Sequence, residues 1–255
     1  LGAIDVLDAE AEEEEVEVDR PDSALDAFDR ILERLGDRPL IFLDFDGTLT
    51  PIVEHPDDAV LDDGMRATLD RLVRLRPVAV ISGRDREDVR ARVGIDGIHY
   101  AGSHGLDIAG PRFEAQRGSE FVPDLDAARS ELEERLAGVE GVHFEPKRAS
   151  LAVHYRRVPD TEVARVRREV ERVGSHFENR LRIARGKKVL ELRPDIDWDK
   201  GRALRWLQSN LAADDALEPS ALYIGDDVTD EDAFEAVRER GVGIRVGEST
   251  DHTKA

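Results

Sequence analysis

The chain of 255 residues contains no cysteine, which excludes disulfide bonds, thiolate catalysis and zinc or iron–sulfur sites with cysteine ligands. Basic side chains are outnumbered, 37 against 57 acidic ones, and the net charge is −20. Nucleic-acid binding is therefore not expected, because neutralising phosphates requires clustered Lys and Arg. The sequence also lacks an apolar run near the roughly 20 residues of a membrane span, and its start does not resemble a secretory signal. We expect a soluble, cytoplasmic protein that binds neither nucleic acid nor membranes, and the sequence alone specifies no oligomeric state.

Acidic residues are concentrated at the beginning of the chain. Residues 1–22 hold ten Asp or Glu side chains against the single Arg20 and contribute −9 to the net charge. This stretch has too few large apolar side chains to bury much surface, so we predict a disordered, solvated arm. Ordered structure is predicted to begin at Ser23, a candidate N-cap, followed by an apolar helical stripe from Leu25 to Leu35.

Short apolar runs alternate with stretches of helical periodicity along most of the chain. The run 40–43, Leu-Ile-Phe-Leu, is typical of a strand buried on both faces of a parallel sheet. Similar runs occur at 77–81, 221–224 and 242–246. Helical periodicity is found at 65–75, 85–93, 199–211 and 229–240. This alternation predicts an α/β fold with a doubly wound parallel sheet, built from residues 23–111 and 194–255.

The middle of the chain has a different pattern. It contains two helix-like stretches and two pairs of short alternating strands, each pair joined by a short turn with Gly, Lys or Arg. The strand pairs are 142–145 with 151–155, and 181–184 with 189–192. Such pairs predict hairpins, so we expect a small antiparallel α+β unit, at about residues 112–193, inserted into the parallel core.

Two acids close the first predicted strand. Residues 44–50 read DFDGTLT, so Asp44 and Asp46 lie at the carboxyl end of a buried strand, where ligands bind in open α/β sheets. Both carboxylates can point into the crevice only if the backbone leaves the pleat, and Gly47 permits that bend. Because crowded carboxylates repel unless a cation or a proton separates them, the pair predicts a hard metal ion, Mg²⁺. The alternative is an Asp-Gly turn with solvated acids.

A second acidic cluster, residues 226–232, follows another predicted strand. Thr229 is a candidate cap for the next helix, and the acids after it suit the positive end of the helix dipole. Asp226 precedes this cap and ends its strand. We therefore expect Asp226 to complete the metal site begun by Asp44 and Asp46.

Two further polar side chains are predicted at the same edge of the sheet. Ser82 ends the strand 77–81, and a hydroxyl beside a helix start can hold a phosphate oxygen. Lys200 begins a helix, where a cation is locally unfavourable unless an anion compensates it, and only five lysines accompany 32 arginines in the chain. An ordinary turn and a surface lysine are the alternatives. Together, the acids, the hydroxyl and the ammonium indicate phosphoryl transfer through an aspartyl-phosphate.

These residues resemble the signature motifs of the haloacid-dehalogenase (HAD) superfamily of phosphatases, which are DxDGT, a Ser or Thr, a Lys and an acidic GDD loop. Longer motifs resemble trehalose-6-phosphate phosphatases specifically. They are YAGSHG (100–105), SLAVHYR (150–156), VLELRP (189–194), DWDKG (197–201) and GDDVTDEDAF (225–234). The resemblance extends from about Pro39 to Thr253. It implies a HAD-like core whose inserted unit, residues 112–193, is a cap domain that closes over the core.

The resemblance also implies catalytic roles. Asp44 is expected to attack phosphorus, and Asp46 to protonate the leaving sugar oxygen and then activate water, a role that neighbouring negative charge favours. Ser82 is expected to donate to a phosphoryl oxygen, and Lys200 to offset charge in the transition state.

By the same resemblance, Asp226 completes the Mg²⁺ shell together with Asp44 and the backbone carbonyl of Asp46. Asp227 and Asp230 are expected to act from outside that shell, through the ligands they support.

The resemblance also implies a set of substrate-binding residues. On the cap, Glu145, Lys147 and Glu191 are expected to hydrogen-bond glucose hydroxyls, and in the core Arg84 and His104 are expected near the phosphate end. An exposed ion pair is the alternative for Glu145 and Lys147. Pro146 between them departs from the family pattern and is able to alter the loop that carries the sugar contacts.

The expected function is Mg²⁺-dependent hydrolysis of trehalose 6-phosphate, a small-molecule sugar phosphate, in trehalose biosynthesis. Another capped sugar-phosphate phosphatase, acting on sucrose phosphate or glucosylglycerol phosphate, is the alternative among enzymes. A non-catalytic regulator that binds a sugar phosphate is the alternative outside enzymes. The sequence favours an enzyme, because Asp44, Asp46 and Lys200 are all present.

Overall fold

A computed structural model describes residues 23–53, 55–186, 188–212, 219–247 and 253–255. The acidic arm predicted at residues 1–22 lies outside the described residues. Among the described residues, none of the helices combines the length and the apolar character needed to cross a bilayer.

The helices and strands follow one another in a mixed order along the chain. In sequence they are α1 (Phe28–Leu35), β1 (Leu40–Leu43), α2 (Asp63–Leu72), β2 (Val78–Ile81), α3 (Arg86–Val93), β3 (His99–Gly102), β4 (Asp107–Ala109), β5 (Glu114–Gln116), α4 (Val122–Arg135), β6 (His143–Lys147), β7 (Ser150–His154), α5 (Asp160–His176), β8 (Leu181–Gly186), β9 (Val189–Pro194), α6 (Lys200–Leu211), β10 (Ala221–Gly225), α7 (Glu231–Val237) and β11 (Gly241–Arg245).

The larger sheet has the strand order β11-β10-β1-β2-β3-β4-β5. Its first five strands are parallel, and β4 and β5 extend it antiparallel. All four residues of β1 are buried, as the continuous apolar run predicted for a strand covered on both faces.

Helices cover both faces of this sheet. Phe42 packs in a cluster with α6 and α7, whereas Ile41 and Leu43 pack in a second cluster with α2 and α3. Successive side chains of a strand point to opposite faces, so β1 joins two separate cores. The predicted doubly wound α/β core is confirmed.

The smaller sheet is wholly antiparallel, with the order β6-β7-β9-β8. Alternate residues such as Val153 and Leu192 pack against α4 and α5 in a third core. The intervening residues of β7 and β9, among them Ser150 and Glu191, therefore lie on the other face. The two predicted hairpins and their antiparallel unit are confirmed.

The limits of the inserted unit, residues 112–193, remain a prediction. The larger sheet includes β5 at Glu114–Gln116, because this strand pairs with β4. Farther along the chain, Gly118 has φ +76° and lies against the ring of Pro194. The two chain segments that join the sheets therefore touch at this point.

The first helix differs from its prediction. Helix α1 begins at Phe28 rather than near Ser23, and Ala27 stands at its cap position without a side-chain hydrogen bond. Its apolar stripe is largely uncovered, because Leu25, Phe28 and Leu32 are 87%, 54% and 50% exposed, whereas Leu35 is buried. Periodicity places these residues on one face, but it does not supply a partner for that face.

Candidate active site

Three neighbouring strands bring the predicted catalytic residues to one edge of the larger sheet. Asp44 follows β1, Ser82 follows β2 and Asp226 follows β10, while Lys200 is the first residue of α6. The Asp44 N–H donates to the carbonyl of Ile224 at 2.9 Å. The first strand is thereby tied to its neighbour at the point where the acids begin.

A cleft of about 290 Å³ opens above this edge, between the two sheets. Its lining residues are Asp44, Asp46, Ser82, Gly83, His104, Ala184, Arg185, Gly186, Val189, Glu191, Arg193, Lys200, Asp227 and Thr229. Core and inserted unit both contribute, so a bound molecule would touch both.

Asp44 and Lys200 form a buried ion pair on the floor of the cleft. Lys200 Nζ donates to Asp44 Oδ1 at 2.8 Å, and the two residues are 4% and 3% exposed. They are 156 positions apart in the sequence, so the fold alone brings them together.

Burial and charge set the protonation of this pair. Burial raises the pKa of Asp44 to about 7, an effect that Lys200 opposes and the nearby Asp230 reinforces. Burial acts to lower the pKa of Lys200, but Asp44 and Asp230 outweigh it and the pKa is raised. Lys200 therefore remains an ammonium. A further cation beside Asp44 would, like Lys200, lower the pKa of the Asp44 carboxyl.

Asp230 is fully buried and surrounded by donors. Its Oδ1 accepts from Lys200 Nζ at 2.6 Å and from the Tyr223 hydroxyl at 2.5 Å. Its Oδ2 accepts from the backbone N–H groups of Asp226 and Asp227, at 3.0 and 2.9 Å. Burial raises the pKa of Tyr223 well above its ordinary value, so the hydroxyl keeps its proton and donates.

Asp226 lies directly against the backbone of Gly47. A Cβ at Gly47 would be 2.0 Å from Asp226 Oδ2, and the glycine has φ +87°, a conformation that residues with a side chain rarely adopt. Thr48 Oγ1 donates to Asp226 Oδ1 at 3.3 Å. Burial, followed by the charge of Asp230, raises the pKa of Asp226. The bend predicted at Gly47 thus makes room for this carboxylate.

The acids at this edge fit a hard metal ion. One carboxylate oxygen from each of Asp44, Asp226 and Asp230 lies within 4.8 Å of the others, and such oxygen donors are those that Mg²⁺ prefers. The four donors on Asp230 occupy the lone pairs of its carboxylate. Lys200 contacts only Oδ1 of Asp44, so Oδ2 of Asp44 and the Asp226 carboxylate are the candidate side-chain ligands.

Asp46 has a different neighbour from the one expected. Arg84 Nε and Nη2 donate to its Oδ2 and Oδ1, each at 2.7 Å. Arg84 also donates to Asp88 at 2.9 Å and to the carbonyl of Pro56 at 2.7 Å. The group facing the predicted acid–base residue is therefore a cation rather than a negative charge. The side chain of Arg84, predicted to bind substrate, thus donates four hydrogen bonds to protein oxygens.

Ser82 and His104 lie beside the acids. Ser82 is 1% exposed and its Oγ accepts from the backbone N–H of Arg84 at 3.1 Å. His104 has φ +57°, and a Cβ at Gly83 would be 2.9 Å from its ring. Burial, followed by Arg193, lowers the pKa of His104 well below its ordinary value. The neutral ring accepts from Arg193 Nη2 at 2.6 Å.

Glu191 is the centre of a polar network on the inserted unit. Its Oε1 accepts from Ser150 Oγ at 2.6 Å and from Lys147 Nζ at 3.2 Å, and its Oε2 accepts from Arg193 Nε at 2.8 Å. Burial alone would raise the pKa of Glu191, but Lys147 and Arg193 outweigh it and lower it to about 2. Lys147 also donates to the carbonyl of Gly83 at 3.1 Å, so this network links the two sheets.

Glu145 pairs with another residue of the smaller sheet. Its Oε2 is 2.7 Å from His154 Nε2, and it is not among the residues that line the cleft. Strand β6 continues through Pro146, which pairs with Leu151. The strand tolerates proline because it is the edge of its sheet.

Two residues of the site differ from the sequence-based assignment. Asp227, rather than Thr229, caps the turn before α7, with Oδ1 accepting from the Val228 N–H at 2.7 Å. Arg193 was not predicted, although it lines the cleft and contacts both His104 and Glu191. The available signal was its position two residues after Glu191 in a strand, which places both on one face.

Comparisons with family models and with known proteins identify the same family. The family model for trehalose-phosphatase matches residues 42–255. A trehalose-phosphate phosphatase of Mycobacterium marinum is 43% identical over 221 residues, which are 86% of this chain and 56% of that protein. The chain thus spans a little over half the length of this relative.

Solved structures show the same fold. The crystal structure of a trehalose-6-phosphate phosphatase related protein is 26% identical, has a TM-score of 0.72 and covers 84% of this chain and 89% of that one. A structure of the Aspergillus fumigatus trehalose-6-phosphate phosphatase is 29% identical, with a TM-score of 0.60 and coverage of 89% and 90%.

Proposed function

The chain belongs to the trehalose-phosphatase family, and from this premise we propose that it hydrolyses trehalose 6-phosphate to trehalose and inorganic phosphate through an aspartyl-phosphate. The observation that supports this proposal best is the buried contact of Asp44 with Lys200 on the floor of the cleft. A carboxylate paired with an ammonium and open to a cleft is a nucleophile positioned for a phosphoryl group.

The first half of the reaction transfers the phosphoryl group to the protein. A carboxylate oxygen of Asp44 forms a bond to phosphorus, and the bond from phosphorus to the sugar oxygen breaks. Asp46 gives a proton to the departing oxygen. Lys200 and the Ser82 hydroxyl, which also line the cleft, donate to phosphoryl oxygens as their charge changes.

The second half releases phosphate. Asp46, now ionised, accepts a proton from a water molecule while the water oxygen attacks phosphorus, and the bond to Asp44 breaks. Arg84 donates to both oxygens of Asp46 and so orients the ionised carboxylate that collects the proton from water.

We assign the metal ligands to Asp44, Asp226 and the backbone carbonyl of Asp46. Bound there, Mg²⁺ would neutralise charge on the phosphoryl oxygens. Asp227 and Asp230 act on this site indirectly, because Asp230 holds the backbone N–H groups of Asp226 and Asp227.

The inserted unit acts as a cap that excludes water and selects the sugar. Its polar residues Lys147, Glu191 and Arg193 lie at or beside the cleft, and Glu145 lies on the same strand as Lys147. Buried donors and acceptors discriminate between sugars, because one left unpaired by the wrong substrate costs roughly 1–3 kcal/mol.

Phosphate release from a panel of sugar phosphates, with and without EDTA, tests the proposal. We expect trehalose 6-phosphate to be preferred over sucrose and glucosylglycerol phosphates, and EDTA to abolish turnover. Equal rates on all three substrates would refute the proposed specificity. Full activity in EDTA would refute the proposed metal dependence.

The variant Asp44→Asn separates an enzyme from a regulator. Binding of trehalose 6-phosphate without turnover supports the enzyme, because only the nucleophile has been removed. A wild-type protein that binds the sugar phosphate but releases no phosphate would favour the regulator.

A further inference from the structure

Tyr223 lies behind the active site rather than in it. It is the central residue of β10, has no exposed surface and is absent from the lining of the cleft. Its ring packs edge-on against Phe234, with the ring centres 5.5 Å apart. A molecule in the cleft therefore does not reach Tyr223.

Its hydroxyl nevertheless contacts the buried acid that holds Lys200. The hydroxyl donates to Asp230 Oδ1 at 2.5 Å, and the same oxygen accepts from Lys200 Nζ at 2.6 Å. Lys200 Nζ in turn donates to Asp44. The hydrogen bonds thus form a continuous chain from Tyr223 through Asp230 and Lys200 to the nucleophile.

We propose that Tyr223 is a positioning residue for phosphoryl transfer, whose hydroxyl fixes Asp230 and thereby the ammonium of Lys200 against Asp44. The inference rests on the proposed function, in that it takes Asp44 to be the reacting carboxylate. Tyr223 itself touches neither the cleft nor the reacting atoms.

The hydrogen-bond count explains why one hydroxyl matters. A carboxylate has about four lone-pair positions, and the four donors on Asp230 occupy them. Without the hydroxyl, Oδ1 keeps Lys200 as its single partner, so the backbone N–H groups still hold Oδ2 but only the flexible lysine side chain holds Oδ1. The Lys200 ammonium then loses its fixed distance to Asp44, and small misplacements of catalytic groups are costly.

The variant Tyr223→Phe removes only the hydroxyl, and Tyr100→Phe is a matched control. Tyr100 is also buried in the larger sheet, on β3, and its hydroxyl donates to the carbonyl of Ile95 at 2.8 Å. Tyr223→Phe loses one buried hydrogen bond, whereas Tyr100→Phe loses two, because the Tyr100 hydroxyl also accepts from the Ile95 N–H at 3.3 Å. We therefore expect the control to be destabilised at least as much as Tyr223→Phe. A loss of activity in Tyr223→Phe but not in Tyr100→Phe is therefore due to the place of the Tyr223 hydroxyl, and not to the general loss of a buried hydroxyl.

Steady-state kinetics on trehalose 6-phosphate give the first readout. We expect Tyr223→Phe to lower kcat roughly tenfold with KM within about twofold of wild type, because the chemical step depends on Lys200 while the cleft is unchanged. Tyr100→Phe is expected to keep both constants. A kcat of Tyr223→Phe equal to that of Tyr100→Phe would overturn the inference.

The ammonium signal of Lys200 gives a second readout that does not require turnover. The chain has only five lysines, so the buried ammonium can be assigned in ¹⁵N-labelled protein by comparison with Lys200→Arg. We expect its signal to be observable in wild type and Tyr100→Phe and to broaden beyond detection in Tyr223→Phe. An unchanged signal in Tyr223→Phe would contradict the inference, whether or not the wild-type protein is active. An inactive wild-type protein would refute the proposed function instead.

Discussion

Arg84 holds the Asp46 carboxylate by both oxygens, with Nε and Nη2 each 2.7 Å from one of them. The guanidinium is itself fixed by Asp88 and by the carbonyl of Pro56. Bidentate pairing of this kind restricts the direction of the carboxylate as well as its distance. Arg84 therefore sets the geometry of the proposed acid–base residue.

Replacing Arg84 by lysine should lower kcat on trehalose 6-phosphate by roughly tenfold to a hundredfold, because a point charge cannot grip both oxygens of Asp46. Arg66→Lys is the control, since Arg66 is a half-buried arginine that donates to the carbonyls of Val93 and Arg92 away from the cleft. Comparable kcat values for the two variants would show that Asp46 does not need the bidentate contact.

Glu191→Gln tests the cap network. The substitution removes the charge that Lys147 and Arg193 share, so we expect KM for trehalose 6-phosphate to rise roughly tenfold as sugar contacts lose their positions. The rate on p-nitrophenyl phosphate, which carries no sugar, should change less than twofold. Glu162→Gln, at a half-buried position on α5 that pairs with Arg165, is the control. An equal loss on both substrates would place Glu191 in the chemistry instead of in sugar recognition.

The sequence predicted the sheet and the strand-end acids because both depend on local pattern. A buried parallel strand needs a continuous apolar run, and Leu40 to Leu43 supply one. The carboxyl ends of neighbouring parallel strands meet, so Asp44 and Asp226 could be placed together. Strands β3 to β5 carry polar residues and glycine in short segments, such as Asp107–Ala109, and gave no such signal.

The side-chain contacts between site residues could not be predicted from the sequence. The bidentate contact of Arg84 with Asp46 joins positions 38 apart, and the single hydrogen bond of Arg193 with His104 joins positions 89 apart. The pairing of charged side chains depends on how the loops after different strands converge. Sequence periodicity does not indicate this geometry. The expected negative neighbour of Asp46 was wrong for this reason.

His99 should make the protein less stable in acid. It is 3% exposed on β3, with its ring centre 4.6 Å from that of Phe113. Burial, reinforced by Arg112, lowers its pKa from 6.5 to about 4. Between pH 6.5 and 4, His99 is protonated in the unfolded chain but not in the folded chain. The free energy of unfolding therefore falls as the pH falls from 6.5 through 4.

Melting temperatures across this pH range test the role of His99. We expect His99→Leu to lose less stability than wild type between pH 6.5 and 4, because leucine takes up no proton. His55→Gln, at an exposed histidine before a short 3-10 helix, should keep the wild-type slope. An unchanged slope in His99→Leu would assign the acid sensitivity to other groups.

Gly47→Ala tests the room that the backbone leaves for Asp226. A Cβ at Gly47 would lie 2.0 Å from Asp226 Oδ2, so the carboxylate must move away from the proposed metal position. We expect phosphatase activity to fall at least about a hundredfold, since a ligand displaced by an ångström no longer serves the same site. The Mg²⁺ concentration for half-maximal activity should also rise.

Gly138→Ala separates this effect from backbone strain. Gly138 has φ +84°, close to the φ +87° of Gly47, but its Cβ would meet no atom within 4 Å. Gly138→Ala should therefore lose about 1 kcal/mol of folding free energy from the left-handed backbone, and Gly47→Ala at least as much, both measured by urea denaturation. Only Gly47→Ala should lose activity and require more Mg²⁺. If both variants kept wild-type activity, the close approach of Gly47 to Asp226 would have no part in holding the metal.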